Sequence, residues 1–159
     1  MLILKESKFT LSQVMTVVRV KIDLEESGID IAEVTEEAVN RTVVLAAEDL
    51  RAKLQDNSPQ DTTDLMKSWY VIGSKDKERI VKSDVQYAQY VNDGTGIYAG
   101  KGKIYPKKEG GLLGPFKYKG KMIAVPWIRG QKPQRFVEKS IKQTKARVEE
   151  FLVISLNGG

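Results

Sequence analysis

The feature that most restricts the fold is an apolar stripe at Val39, Val43, Ala46, Leu50 and Leu54. Its steps of 4, 3, 4 and 4 residues place all five side chains on one face of a helix. The other face carries Glu36, Glu37, Arg41, Glu48, Asp49 and Lys53. Glu37–Arg41 and Asp49–Lys53 are spaced i,i+4 with the acid first, the favourable order. Asp30 reads as an N-cap, with Glu33 three residues on to close a capping box. Asn57-Ser58-Pro59 ends the helix, because proline disfavours the helical conformation in the residue before it.

Two strand-like runs follow. Ser68-Trp69-Tyr70-Val71-Ile72 and the run from Arg79 to Val85 flank Gly73-Ser74-Lys75-Asp76-Lys77, which reads as a hairpin loop. Tyr87, Ala88 and Val91 suit a short helical turn closed at Asp93-Gly94. Residues 94–120 hold eight of the 13 glycines, and residues 97–115 form a long Gly/Lys-rich loop. Phe116-Lys117-Tyr118 and Met122-Ile123-Ala124-Val125 flank Lys119-Gly120, a two-residue hairpin turn. A final helix has Pro133 in its first turn and Val137, Ile141, Val148 and Leu152 on one face. The expected fold is α+β, an antiparallel sheet of hairpins packed against a long helix in the N-terminal half and a C-terminal helix. At 159 residues the chain is expected to form a single domain over 1–159.

Residues 1–30 are an N-terminal segment that periodicity leaves undecided. Leu11, Met15, Val18 and Ile22 have helical spacing, whereas the run from Val18 to Leu24 alternates as a strand does.

Composition narrows function more than fold. There is no cysteine and no histidine. Thiolate and imidazole chemistry, disulfides and most zinc or copper sites are therefore excluded. No apolar run approaches the length of a membrane span, and Met1 to Glu6 is too short and too soon charged for a signal peptide. The charge is uneven. Residues 1–64 hold seven basic and 13 acidic side chains, a net −6, whereas residues 65–159 hold 19 and eight, a net +11. The basic half suits nucleic acid, or the acidic half of another copy.

Candidate chemical motifs are weak. The run from Gly94 to Lys103 resembles a phosphate-binding loop, but Thr95 stands where the first glycine is needed and Gly102 where a hydroxyl is needed. Glu36/Glu37, Glu48/Asp49 and Glu149/Glu150 are adjacent on helices and so do not converge. A metal-dependent nuclease would rest on Asp61, Asp64 and Asp93. Tyr98, Lys101, Lys103, Tyr105, Phe116, Lys117, Tyr118 and Lys119 interleave rings with cations, as single-strand binders do, and also as a solvated hairpin does. The sequence implies no enzyme, no metal and no cofactor.

Three ordered segments are more specific. They are residues 57–68 (NSPQDTTDLMKS), 87–96 (YAQYVNDGTG) and 130–141 (GQKPQRFVEKSI). Together they resemble the minor tail component family of long-tailed bacteriophages, the gene-product-ten-like neck, head–tail joining and tail-completion proteins. The resemblance covers about residues 33–152 and favours a helix in the N-terminal segment. Thr63 departs from the family's usual glycine, Asn92 or Asp93 from a common glutamate, and Glu138-Lys139-Ser140 from the usual proline-alanine.

The resemblance implies a structural virion protein, assembled in the bacterial host cytoplasm and placed in the phage neck or tail. It implies a ring of copies around the DNA channel, six by analogy with tail symmetry. The neighbours would be head-completion or stopper proteins and tail-terminator or tail-tube proteins. The matched residues, Pro59, Thr62, Asp64, Leu65, Tyr87, Tyr90, Val91, Gly94, Thr95, Gly96, Pro133 and Phe136, are expected to set turns and packing. Tyr87, Tyr90 and Val91 are expected to pack the short helix on the sheet. Lys101, Lys103, Lys107 and Lys108 are the candidate contacts to a partner or to channel DNA. The alternative is a basic nucleic-acid-binding protein.

Overall fold

The computed structural model describes residues 2–6, 16–22, 35–59, 63–75 and 77–157. These fall into two compact units, one within 1–88 together with 136–159 and the other comprising 89–135.

The first unit is built on a four-stranded antiparallel sheet. Its strands are β1 (Leu2–Glu6), β2 (Thr16–Ile22), β3 (Trp69–Lys75) and β4 (Glu78–Ser83), in the order β1-β2-β4-β3. The expected hairpin β3–β4 is present, and β2 pairs along its far side. The helical reading of the N-terminal segment is therefore overturned at residues 16–22. Alternation decides it: Val18 and Val20 point to one face and are fully buried, with Val18 opposite Val81 and Val81 opposite Val71. Each such valine, fully removed from water, contributes about 1.5–3 kcal/mol. The other two residues of the helical pattern, Leu11 and Met15, lie outside the described residues.

Helix α1 (Glu36–Asn57) packs on the sheet through Val39, Val43, Ala46, Leu50 and Leu54, all buried, joined by Ala38, Thr42 and Ala47. Its N-cap is Thr35, whose hydroxyl accepts the Ala38 N–H at 3.1 Å, and Glu36 and Glu37 sit at the positive end of the helix dipole. The expected cap residues Asp30 and Glu33 lie outside the described residues, ahead of the observed start. Glu37 and Arg41 pair at 2.7 Å as expected. Asp49, expected to pair with Lys53, instead accepts the Thr144 hydroxyl at 2.8 Å and a hydrogen bond from Arg147. It thus ties α1 to the C-terminal helices.

The C-terminal helix is two helices, α4 (Phe136–Lys145) and α5 (Val148–Leu156), both packed on α1 (α2, Thr63–Lys67, and α3, Ala88–Asp93, lie earlier in the chain). The break comes where the Arg147 N–H turns back to the Thr144 carbonyl at 3.0 Å. There Arg147 reaches Asp49 and lies 4.9 Å from the Phe151 ring centre. Phe136, Val137, Ser140 and Thr144 of α4 and Phe151, Leu152 and Ser155 of α5 are buried. Pro133 precedes the first turn of α4 instead of standing in it, because Arg135 has φ +52° and cannot continue a helix.

The second unit runs from Gln89 of α3 through a 3₁₀ turn (Gly96–Ala99) and a second hairpin, β5 (Leu113–Tyr118) and β6 (Lys121–Val125). Lys119 and Gly120 have φ +46° and +79°, as a two-residue turn with both central residues left-handed requires. Midway through residues 97–115, Ile104 and Ile128 exchange backbone hydrogen bonds of 2.9 and 3.0 Å.

Candidate assembly surfaces

The first matched segment closes the end of α1. The Ser58 hydroxyl donates to the Leu54 carbonyl and accepts the Trp69 indole N–H at 3.1 Å. The Asn57 amide donates to Ser140 Oγ at 3.0 Å and to Gln143 Oε1 at 2.7 Å, joining α1 to α4. Leu65 of α2 is buried, and the Ser68 and Ser83 hydroxyls bond at 2.6 Å. Pro59 is half-buried after the cap, Asp64 is exposed in the first turn of α2, and Thr62 and Asp61 lie outside the described residues.

The second and third matched segments form one crossing. The Thr95 N–H donates to the Gln131 carbonyl and the Ile97 N–H to the Arg129 carbonyl, both at 2.9 Å. The Gln131 N–H returns to Thr95 Oγ1 at 2.8 Å. The two segments approach so closely that a Cβ on Gly96 would meet the Arg129 carbonyl oxygen at 2.3 Å, and one on Gly130 the Thr95 oxygen at 2.2 Å. Gly94, at φ +77°, has the Gln131 oxygen and the Pro133 ring against it. One step on, the Gln134 and Arg135 N–H groups donate to the Val91 and Asn92 carbonyls, satisfying the open end of α3, and Arg135 lies 3.6 Å from Asp93. Phe136 then packs edge-to-face on Trp69, ring centres 6.2 Å apart. Tyr87 and Tyr90 depart from the expectation that they pack the short helix. They are 37% and 48% exposed, and the buried positions are Ala88 and Asn92. At the α3 spacing the small Ala88 and Asn92 fall on one side, so the two rings point away from it.

Lys101, Lys103, Lys107 and Lys108 are all exposed. Lys103 is engaged: its ammonium sits 3.8 Å above the centre of the Trp127 ring. Lys132 lies 6.0 Å from the Tyr98 ring centre. The hairpin is exposed from Gly114 to Ala124.

Sequence reasoning missed a second apolar surface. Val44 and Leu45 of α1 and Ile154 of α5 line a groove of about 470 Å³, with Glu37, Asn40, Arg41 and Ser155 around them. The signal was present, since Val44 and Leu45 stand off the stripe on an otherwise charged face.

Several carboxylates are held in their charged form by neighbours. Asp84 is kept below the usual carboxylate range first by the hydrogen bond from the Tyr70 hydroxyl, then by Lys82. Lys77 lowers Glu36, and Arg147 lowers Glu150, in each case mainly through a hydrogen bond. Among the described residues no group of three or more acidic side chains could hold a metal ion, and no helix is long and apolar enough to cross a membrane.

Of the matched residues, Leu65 and Phe136 are buried and Gly94 and Gly96 take the left-handed backbone of the crossing. Residues 24–94 match the family described as "Bacteriophage HK97-gp10, putative tail-component". This is the family that the ordered segments resemble, and the match includes the first of them and nearly all of the second. Comparison with curated proteins and with solved structures gives no match.

Proposed function

We propose that the chain is a structural virion protein of a phage neck, joining head to tail or completing the tail as a ring around the DNA channel. Six copies follow by analogy with tail symmetry. The ring would be assembled in the host cytoplasm, between a head-completion or stopper protein and a tail-terminator or tail-tube protein. The family match supports a tail component. The observation that carries assembly is the hairpin β5–β6, exposed on both faces from Gly114 to Ala124. A two-stranded ribbon has little stability of its own, so such a ribbon gains most from a partner's surface.

The test is the mass of the full chain by light scattering, with concentration and salt varied. A discrete closed oligomer is expected. A monomer at every concentration that also shifts labelled DNA with a steep salt slope would put the nucleic-acid reading first. Replacing Lys101, Lys103, Lys107 and Lys108 with serine tests the DNA contact. Normal joining of heads to tails by that variant would exclude it.

A further inference from the structure

We infer that the tip of the β5–β6 hairpin enters the major groove of duplex DNA and grips the phosphates on both sides. This contact deepens the neck reading, and rests on it only for placing duplex DNA beside the chain.

Charge follows the two structural units. Residues 89–135 hold ten basic side chains and two acidic ones, a net +8 over 47 residues. The remainder of the chain holds 16 and 19, a net −3. Of the two acids, Asp93 lies 3.6 Å from Arg135, which leaves Glu109 as this unit's acid for the other nine cations. All nine are exposed. A surface so nearly of one sign attracts a polyanion.

Within the hairpin the cations gather at the free end. Lys117, Lys119 and Lys121 fall in the last two rungs and the turn, and there is no acid from Leu113 to Val125. Nearer the root, Phe116 stands opposite Ile123. Alternation along the strands then divides the lysines. Lys117 shares one face with Met122, Lys121 shares the other with Tyr118, and Lys119 stands in the turn.

The ribbon is one sheet thick, about 10 Å with its side chains. The major groove of B-DNA is about 12 Å wide and about 8.5 Å deep, and admits a two-stranded ribbon. Two rungs rise about 7 Å, so the tip fills the depth of the groove and the apolar root stays outside it, free for a neighbouring chain. In that position Lys117 and Lys121 face opposite phosphate walls, and Lys119 leads at the tip. An acidic protein surface would satisfy the charge but offers no pair of anionic walls to match cations on both faces. Lysine contacts to phosphate carry no sequence information, so binding is independent of sequence.

The test is the affinity of the full chain for a labelled duplex of mixed sequence, by fluorescence anisotropy over a range of salt. The neutral variant combines Lys117→Gln, Lys119→Asn and Lys121→Gln. All three sites are exposed, and asparagine tolerates the left-handed backbone at position 119. Each lost phosphate contact lowers the salt slope by about 0.9, so three lower it by about 2.7. Over a fourfold rise in salt the unmodified chain is then expected to lose about 40-fold more affinity than the neutral variant. Arginine at the same three sites keeps the charge and is expected to keep the slope. Three results would each overturn the contact: no duplex binding by the unmodified chain at low salt, an unchanged slope in the neutral variant, or a lowered slope in the arginine variant. Displacement of the duplex by polyglutamate as readily as by unlabelled duplex would also overturn it, and would put an acidic protein in the place of DNA. Light scattering on the same samples keeps the two readings apart. A monomer that binds duplex with the expected slopes loses the ring and keeps this contact. A ring whose neutral variant binds duplex unchanged keeps the ring and loses the contact.

Discussion

Gly130→Ala should be far more damaging than its small size suggests, and the structure says by how much. Gly130 has φ +94°, and an added Cβ would lie 2.2 Å from the Thr95 oxygen, 2.5 Å from the Thr95 carbonyl carbon and 2.9 Å from the Gly96 Cα. All three are backbone atoms, so no side chain can swing aside. Left-handed backbone costs a non-glycine residue about 1–2 kcal/mol. Relieving the clash requires the crossing to open, which loses the Thr95–Gln131, Ile97–Arg129 and Gln131–Thr95 hydrogen bonds. At about 1 kcal/mol net each, that adds roughly 3 kcal/mol. The total is about 4–5 kcal/mol, or a fall of roughly 8–20 °C in Tm for a chain of this length.

Two other glycines separate the contributions. Gly120 has φ +79° but nothing within 4 Å of an added Cβ, so Gly120→Ala should cost only the backbone strain, about 1–2 kcal/mol. Gly73 has open space and no left-handed φ, so Gly73→Ala should be neutral or stabilise the strand by up to about 1 kcal/mol. Thermal melts of the three variants, with hydrogen exchange at the Thr95 and Ile97 amides, give the order. Equal losses for Gly130→Ala and Gly120→Ala would refute the clash argument.

Phe136→Ala empties a fully enclosed site against Trp69 and should cost about 3–5 kcal/mol in urea unfolding; a loss under about 1 kcal/mol would mean the site collapses freely. Thr35→Ala removes the hydroxyl that caps α1 and should cost about 1 kcal/mol, largely recovered by Thr35→Ser. Folded-state depression of Glu36, Asp84 and Glu150 makes stability present above the usual carboxylate range, to be lost as the pH falls through and below it. Because all three are exposed, the effect is small. Urea midpoints of Asp84→Asn and the unmodified chain should differ at neutral pH and converge in acid. A constant difference would show that the carboxylate charge plays no part.

The match over residues 24–94 and the helix α1 illustrate how much was legible in residue order. Strict periodicity marked the buried stripe, proline marked its end, and Lys119-Gly120 marked a turn that demands two left-handed residues. The site was less legible. Arg135 looked like the second residue after a helix-starting proline, but its N–H bonds to the Asn92 carbonyl and its left-handed φ delays α4 to Phe136. Tyr87 and Tyr90 looked like packing residues by their size, yet the buried positions are Ala88 and Asn92.

Local patterning by itself determined the long helix, both hairpins and the α+β class, because burial periodicity and turn chemistry act over a few residues. Tertiary structure alone decided the rest. Val18 and Ile22 suit either a strand or a helix face until β4 offers residues 16–21 an edge to pair with. Asp49 is within reach of Lys53 on its own helix, but the end of α4 presents Arg147 and Thr144 to it from another. The crossing of residues 94–97 with 129–131 joins glycines some 35 positions apart, Gly96 and Gly130 among them. Sequence spacing carries no information about which distant backbones will meet; only the packed chain brings them to van der Waals distance.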